Sequence, residues 1–481
     1  MSTMVIDGKS ATARSGATLE IHDPATGELV DRVPQAGVEE TRQAIDAAHA
    51  AFRGWADLLP SKRTHILMKG AALVRQHLDE VAMLLTREQG KPLRDSKMEA
   101  ERFVENIEFY ASIMASGAIR GHHIPLSAPG AYGLVIRRPL GVVGAIIPFN
   151  FPLTLLANKI APALAVGNTV VAKPASTTPL STIRLVELLN EGGLPAGVLN
   201  VIVGPGAVVG QELIKNPKVR KIGFTGETQT GKQVMAEAAS DLKHVTLELG
   251  GSDPAIVCDD ADIEMASKAI AIGRFFNCGQ ACLAVKRVYV HESIADQVIE
   301  KVVARAKKLK VLPGSDAAAQ MGPMHTAAGR ETIEQQLKDA LDRGGRLLAG
   351  GHRMTGEPFD RGFFFEPTVV TDVPEDARVW TEETFGPLLP IARVGSLDEA
   401  IEKANNSEFG LGSSIFTRDI KKAQQAIDRL DVGYSWVNQV NLVAYDELPF
   451  GGTKHSGFGK EHGTEVLDFY TEQKSIVMGG V

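Results

Sequence analysis

Cysteine is scarce in this 481-residue chain, with only Cys258, Cys278 and Cys282. An odd count without a spaced framework excludes a disulfide-stapled secreted scaffold. Three thiols without a supporting histidine cluster are poor zinc ligands, so no metal site is expected. Positive charge is not in excess either: 51 Lys and Arg face 58 Asp and Glu, a net charge of −7. That argues against a basic face for nucleic acid or anionic lipid. The opening MSTMVIDGKSATARSG lacks a basic segment followed by an apolar one, so no signal peptide is read. Long hydrophobic runs are missing too. The most apolar stretch, Leu134 to Ala165, is interrupted by Arg137, Arg138, Pro139, Pro148, Asn150, Pro152 and Lys159. It reads as a buried strand, a turn and a helix, not a membrane span. A cytoplasmic protein with no membrane and no nucleic-acid partner is the expectation.

What is abundant is glycine, 48 residues against 6% aromatics, which suits an α/β protein with many tight strand-to-helix turns. The length suffices for two or three domains with cores of their own. Apolar residues recur at helical spacing over Val38–Trp55 and again from Arg63 to Gln89, so helix is expected to dominate the first hundred residues. From Gly141 the pattern changes. Short β-branched runs (Val142–Ile147, Asn168–Lys173, Leu199–Val203, Lys221–Thr225) alternate with helical stretches at Pro179–Leu189 and Gln229–Ala238. Such alternation predicts parallel βαβ units with ligands at the strand C-termini. It restarts after Gly250–Gly251, the best candidate for a domain crossing, with DPAIVCDD, a helix from Ala261 and a strand at Arg287–His291. A helical pair broken near Pro313-Gly314 and Gly344 follows, and Thr471–Met478 reads as an edge strand.

Four segments stand out: Pro148-Phe149-Asn150-Phe151-Pro152, Glu248-Leu249-Gly250-Gly251, Phe276 to Cys282 (FNCGQAC), and Glu382-Glu383-Thr384-Phe385-Gly386-Pro387. Each alone has an ordinary explanation. A cysteine in apolar surroundings is usually core filler, a glutamate beside glycines caps a turn, and an asparagine between two Phe-Pro elements holds one. Together, in this order and spacing, they resemble the aldehyde dehydrogenase superfamily. The family's F-x-N-x-G-Q-x-C is matched from Phe275 and Asn277 to Cys282, and its L-E-L-G-G at Leu247–Gly251. The resemblance runs from the N-terminal helices to Pro449-Phe450-Gly451-Gly452 and the strand-like tail.

The resemblance implies an α/β fold of the aldehyde-dehydrogenase type. A Rossmann-like cofactor domain would span 1–120 and 140–250, an α/β catalytic domain 251–449, and a small β oligomerisation element 121–139 and 450–481. It also implies oxidation of an aldehyde to its carboxylic acid with NAD(P)+ through a thioester on Cys282. The chemistry suits these residues: a thiolate is a strong nucleophile and a good acyl leaving group. Asn150 and the Cys282 backbone N–H would donate to the oxyanion, each such donor being worth roughly 3–4 kcal/mol of barrier. Glu248 is cast as the base that activates water. Cys278 reads as a packed helix thiol and Cys258 as part of a buried strand.

For the cofactor, Gly204-Pro205-Gly206-Ala207-Val208-Val209-Gly210 only approximates a dinucleotide fingerprint and lacks an acidic partner downstream. The better match is Phe224–Gly231, similar to the family's F-T-G-S-T-x-x-G, with Thr225, Gly226 and Gly231 opening a helix onto a phosphate. Glu227 stands where serine is usual and is expected to point away. Lys173 and Ser176 are placed at the adenosine ribose, where NAD-preferring relatives carry glutamate at the position of Ser176, so NADP or NAD is accommodated. Glu383 is implied at the nicotinamide ribose, with Phe385 and Phe149 flanking that half of the cofactor, and Leu249 is a further cofactor-binding candidate.

Family branches acting on succinic semialdehyde carry arginines at the positions of Phe276 and Asn158. Their absence disfavours a short charged semialdehyde. Phe151, Leu155, Phe276, Ala281 and Leu283 would line an apolar tunnel for a neutral aliphatic or aromatic aldehyde. Lactaldehyde- or glyceraldehyde-type substrates stay open because Asn438–Glu447 is polar. The alternatives are a CoA-acylating semialdehyde dehydrogenase, against which Glu248 counts, and a catalytically silent structural relative. The resemblance implies a homodimer or homotetramer.

Overall fold

The computed structural model describes residues 2–117, 121–442 and 444–479. Five parallel strands form the centre of a first sheet, in the spatial order Leu199–Val201, Thr169–Lys173, Val142–Ile146, Val219–Thr225 and His244–Glu248. Strand order reverses between Val142–Ile146 and Val219–Thr225. In such sheets the crevice beyond the strand C-termini at the reversal is where ligands sit. Every residue of Thr169–Lys173 is buried, as a strand covered on both faces requires. Helices Val38–Ala56 and Pro152–Val166 supply part of that cover.

The second sheet runs Arg346–Ala349, Thr368–Thr371, Leu388–Val394, Val285–His291, Asp253–Val257, Gly412–Phe416, Tyr434–Val437. Only its first strand is antiparallel to its neighbour. A third, antiparallel sheet pairs Tyr132–Pro139 with His122–Pro125 on one side and Thr471–Met478 on the other. The apolar interior divides accordingly. One cluster gathers residues from Met4 to Leu249 plus Val466, Leu467 and Tyr470, and another gathers Ala25 and residues from Ala255 to Leu430. Strand His244–Glu248 ends in the first sheet and Asp253–Val257 opens in the second, so Leu249–Ser252 carries the chain across.

Some expectations need correction. Four strands, Met4–Ile6, Lys9–Ala11, Thr18–His22 and Leu29–Pro34, precede the first helix, Val38–Ala56. The two shortest span three residues each, too few for an alternation to register, and Val5 joins the first sheet only by pairing with Val201. In the tail, Gly457–Phe458 is the antiparallel edge of the first sheet, so only Thr471–Met478 joins the third. Cys258 lies one residue beyond its strand. Among the described residues, no helix is long and apolar enough to cross a membrane.

Candidate active site

Helix Pro152–Val166 begins with proline at its first position, where a missing N–H costs nothing. Its free N–H groups at Leu153 and Thr154 donate to Glu99 at 2.9 and 3.3 Å. Glu99 is ion-paired with the fully enclosed Lys91 ammonium, which also donates to the Asn150 carbonyl at 2.7 Å and stands 4.0 Å from the Phe151 ring centre. Asn277 Nδ2 donates to the same carbonyl at 3.0 Å. Asn150 is thus held from both sides. Its side-chain amide donates one N–H to the Gln280 carbonyl at 3.2 Å, two residues before Cys282.

The cysteine segment follows helix Ile263–Phe275 as a tight turn with left-handed backbone at Asn277 (φ 48°), Cys278 (φ 55°) and Gly279 (φ 71°). Non-glycine residues adopt this conformation only when the surroundings impose it. The buried Arg274 guanidinium does so, donating to Gly279 O at 2.8 Å, Val285 O at 3.2 Å, Thr384 O at 3.1 Å and Gly386 O. Cys278 is therefore a turn residue, not the helical one expected. It is 1% exposed, and burial raises its thiol far above the usual range. Cys282 is partly exposed. Burial, then the Glu248 carboxylate, pushes its thiol up as well.

Glu248, at the end of its strand, is 2% exposed, and neither carboxyl oxygen has a hydrogen-bond partner among the described residues. Burial first, and the charge of Glu461 second, raise it to about 8, while the Cys282 thiol facing it acts in the opposite direction. Such a carboxyl holds its proton near neutrality and is close to its working range as a base.

These groups meet in a cleft of about 350 Å³ lined by Pro148, Phe149, Asn150, Thr225, Gly226, Glu227, Glu248, Leu249, Gly250, Cys282, Glu383 and Phe385. Nine of the residues given a catalytic or cofactor role from the sequence are brought together there. Phe149 stacks on His325 with ring centres 4.5 Å apart and meets Phe385 edge-on at 6.1 Å. Thr225 is held by Lys159, whose ammonium donates to its hydroxyl at 2.6 Å and to Glu461 at 2.7 Å. Helix Thr228–Ala238 starts without a side-chain cap, leaving its first N–H groups to an incoming anion. Gly231 lies behind this wall, where an added Cβ would stand 2.4 Å from Leu249 Cδ2. Glu227 is exposed. Lys173 and Ser176 lie outside the cleft. Ser176 Oγ donates to Gly204 O at 3.0 Å, which puts the glycine turn beside them, and burial lowers Lys173 to about 8.

On the opposite side Phe151 stacks on Phe276 at 5.9 Å. Leu155 and Ala281 are buried, and Leu283 packs with Leu411, Trp436 and Phe450 in a small cluster that Cys282, Tyr434 and Ala444 adjoin. Asn158 donates to Glu461 at 3.1 Å and does not reach for a substrate. The polar groups of Asn438–Glu447 are largely spent internally: Asn441 donates to Leu283 O at 2.6 Å, and Asp446 meets Arg102, Asn106 and His462. Val443 of that stretch lies outside the described residues.

Sequence reasoning missed Lys91, Lys159, Arg274, Lys286, His325 and the Trp436 cluster. A signal existed for Lys159: a lysine within LLANKIAPALAV is almost never buried unless paired. The others carry no such mark in the sequence, and their partners lie across the fold.

The aldehyde dehydrogenase family model matches residues 11–476. A glutarate-semialdehyde dehydrogenase of Pseudomonas aeruginosa is 39% identical over 478 residues, 99% of this chain and 97% of that protein. A phenylacetaldehyde dehydrogenase of Pseudomonas fluorescens is 40% identical over 484 residues, 99% of this chain and 95% of that one. The crystal structure of an NADP-dependent enzyme of E. coli superposes with a TM-score of 0.96 at 39% identity, covering 99% of this chain and 98% of that chain. With that coverage, and with the thiol, the carboxyl and the amide in one cleft, the chain belongs to the aldehyde dehydrogenase family.

Proposed function

We propose that the protein oxidises a neutral aliphatic or aromatic aldehyde to its carboxylic acid, with NADP or NAD as hydride acceptor. The observation that carries this is that Cys282 and Glu248, a buried carboxyl with no hydrogen-bond partner among the described residues, line the same cleft. Cys282 gives its proton to the ionised form of Glu248, which releases it to solvent, and the thiolate adds to the aldehyde carbon while Asn150 and the Cys282 backbone N–H donate to the oxyanion that forms. A bound nicotinamide would supply the oxidising capacity as hydride acceptor, and Cys282 would then hold the acyl group as a thioester. Glu248 then takes a proton from water as its oxygen attacks the thioester, and the thiolate departs.

The cleft fits a dinucleotide on structural grounds. The uncapped helix at Thr228 suits a phosphate. At Gly250 an added Cβ would stand 2.3 Å from Glu383 Oε2, so only glycine leaves room for that carboxylate at the cleft edge. Lys173 and Ser176 are assigned to the adenosine ribose and Glu383 to the other. Glu248 favours water over CoA as acyl acceptor. Among substrates, stacked Phe151 and Phe276, with Asn158 committed to Glu461, favour an apolar body over an anionic one. Absorbance at 340 nm over an aldehyde panel, with each nucleotide and with or without CoA, tests this. Oxidation confined to carboxylate-bearing aldehydes would overturn the substrate reading, and CoA-dependent turnover the hydrolytic one.

The working unit proposed is a dimer or a dimer of dimers of soluble, cytoplasmic protein. Thr471–Met478 is an edge strand with Val477 71% and Met478 44% exposed. Open edges with apolar side chains invite pairing with another copy. A stable monomer by light scattering at micromolar concentration would contradict it.

A further inference from the structure

The cleft wall contains a charge with no task in the scheme above. Lys286, four residues after Cys282, is 0% exposed at the start of strand Val285–His291. Its ammonium donates to Gly251 O at 2.8 Å, to Cys282 O at 3.0 Å and to Glu383 Oε1, and stands 5.5 Å from the Phe385 ring centre. Three N–H groups thus meet three acceptors, as a buried ammonium requires. The acceptors come from three places: the crossing after the base, the nucleophile, and the segment at Glu383–Phe385. Glu383 Oε1 also accepts the Gly251 N–H at 3.2 Å, so both protein donors fall on one oxygen. Oε2, in the notch at Gly250, has no hydrogen bond among the described residues.

We infer that Lys286 is a positioning residue for the nicotinamide end of the dinucleotide. It pins Glu383 through Oε1 so that Oε2 is turned to accept the ribose hydroxyls, and it ties that carboxylate to the Cys282 carbonyl. The separation between nicotinamide and thiol is thereby set by one ammonium. This rests on the assignment of Glu383 to the ribose. A side chain without charge would free the carboxylate to swing and leave the Gly251 and Cys282 carbonyls without their donor. Loss of a pinned acceptor shows in ground-state nucleotide binding, because an unpinned carboxylate must be ordered each time the ribose arrives.

The experiment measures nucleotide Kd by calorimetry and the KM values for nucleotide and aldehyde, in wild type, Lys286→Met, Glu383→Gln and the double variant. Lys286→Met is expected to raise nucleotide Kd and KM at least tenfold while aldehyde KM moves less than twofold. The double variant should bind no more than about twofold worse than the weaker single one, since both remove one shared device. An unchanged nucleotide Kd, an equal rise in aldehyde KM, or fully additive losses would each overturn the inference and leave Lys286 as packing alone. If Lys286→Met does not fold, Lys286→Gln, which keeps a donor, is read by the same split. A wild type that binds neither nucleotide would instead defeat the parent assignment of Glu383.

Discussion

Glu99 and Glu248 are the same chemical group at nearly the same depth, 5% and 2% exposed, yet the fold treats them oppositely. Both Glu99 oxygens are engaged, by Lys91 and by the first N–H groups of helix Pro152–Val166. Neither oxygen of Glu248 is. A buried charge without partners is expensive, so Glu248 keeps its proton and its pKa is raised to about 8, while its surroundings are tied down by paired charges. The lesson is a division of labour. Ion pairing at Lys91–Glu99, Lys159–Glu461 and Lys286–Glu383 fixes geometry, and Glu248, with both oxygens unpartnered among the described residues, is left for chemistry.

The sharpest way to break this comparison is at the thiol. Cys282→Ser should lower aldehyde-dependent nucleotide reduction by at least about a thousandfold with folding and nucleotide binding intact, a loss typical of a deleted nucleophile. Cys278→Ser should retain most activity. An inactive Cys278 variant beside an active Cys282 variant would reverse the assignment.

Next comes Glu248→Gln, with steady-state turnover reduced by about a hundredfold, in the range of one general base. Rapid-quench kinetics should show one equivalent of reduced nucleotide per site before the slow phase. In wild type the hydrolytic step should speed up as pH rises through about 8. The sign for stability is the reverse. A carboxyl raised from 4.5 to about 8 binds its proton more tightly folded than unfolded, so its contribution is full below 4.5 and fades as pH climbs through about 8. Melting curves of wild type and Glu248→Gln should therefore diverge towards alkaline pH, the glutamine variant melting higher. Parallel curves would remove the buried proton.

Lys91→Met attacks the paired side. Stranding Glu99 should cost about 3–5 kcal/mol in denaturant midpoints, and Lys91→Met with Glu99→Gln should recover much of it. No loss in the single variant would remove this ion pair as a support of the site.

The smallest expected effect lies farthest from the chemistry. Ser176→Glu should shift the NAD-to-NADP ratio of kcat/KM by at least about tenfold towards NAD, the size of one charged hydrogen bond. Lys173→Ala should weaken NADP more than NAD. An unmoved ratio would place the adenosine ribose elsewhere.

Much of this was legible because local signals agreed. The βαβ alternation, the crossing at Gly250–Gly251 and the tail strand Thr471–Met478 each have a periodicity or a glycine to mark them. The thiol, the carboxyl and the amide were legible as spaced motifs. What escaped was decided at long range. Lys91 reaches Asn150 across 59 residues and Lys286 reaches Glu383 across 97, and neither lysine looks unusual among its neighbours. The left-handed turn at Asn277–Cys278 escaped too, because Arg274 and the distant Thr384–Gly386 segment impose it.

Register pairs Glu248 with Gly457, and Leu247 with Phe458. Synthesis from the N-terminus therefore finishes the strand bearing the carboxyl about two hundred residues before the segment that closes its edge emerges. Until then this edge stays open in the nascent chain. A polypeptide ending before Gly457, even one already containing Cys282 and Glu383, would leave the strand bearing Glu248 without its antiparallel neighbour. The strand that carries the base is thus flanked on both sides only once Gly457–Phe458 has been made.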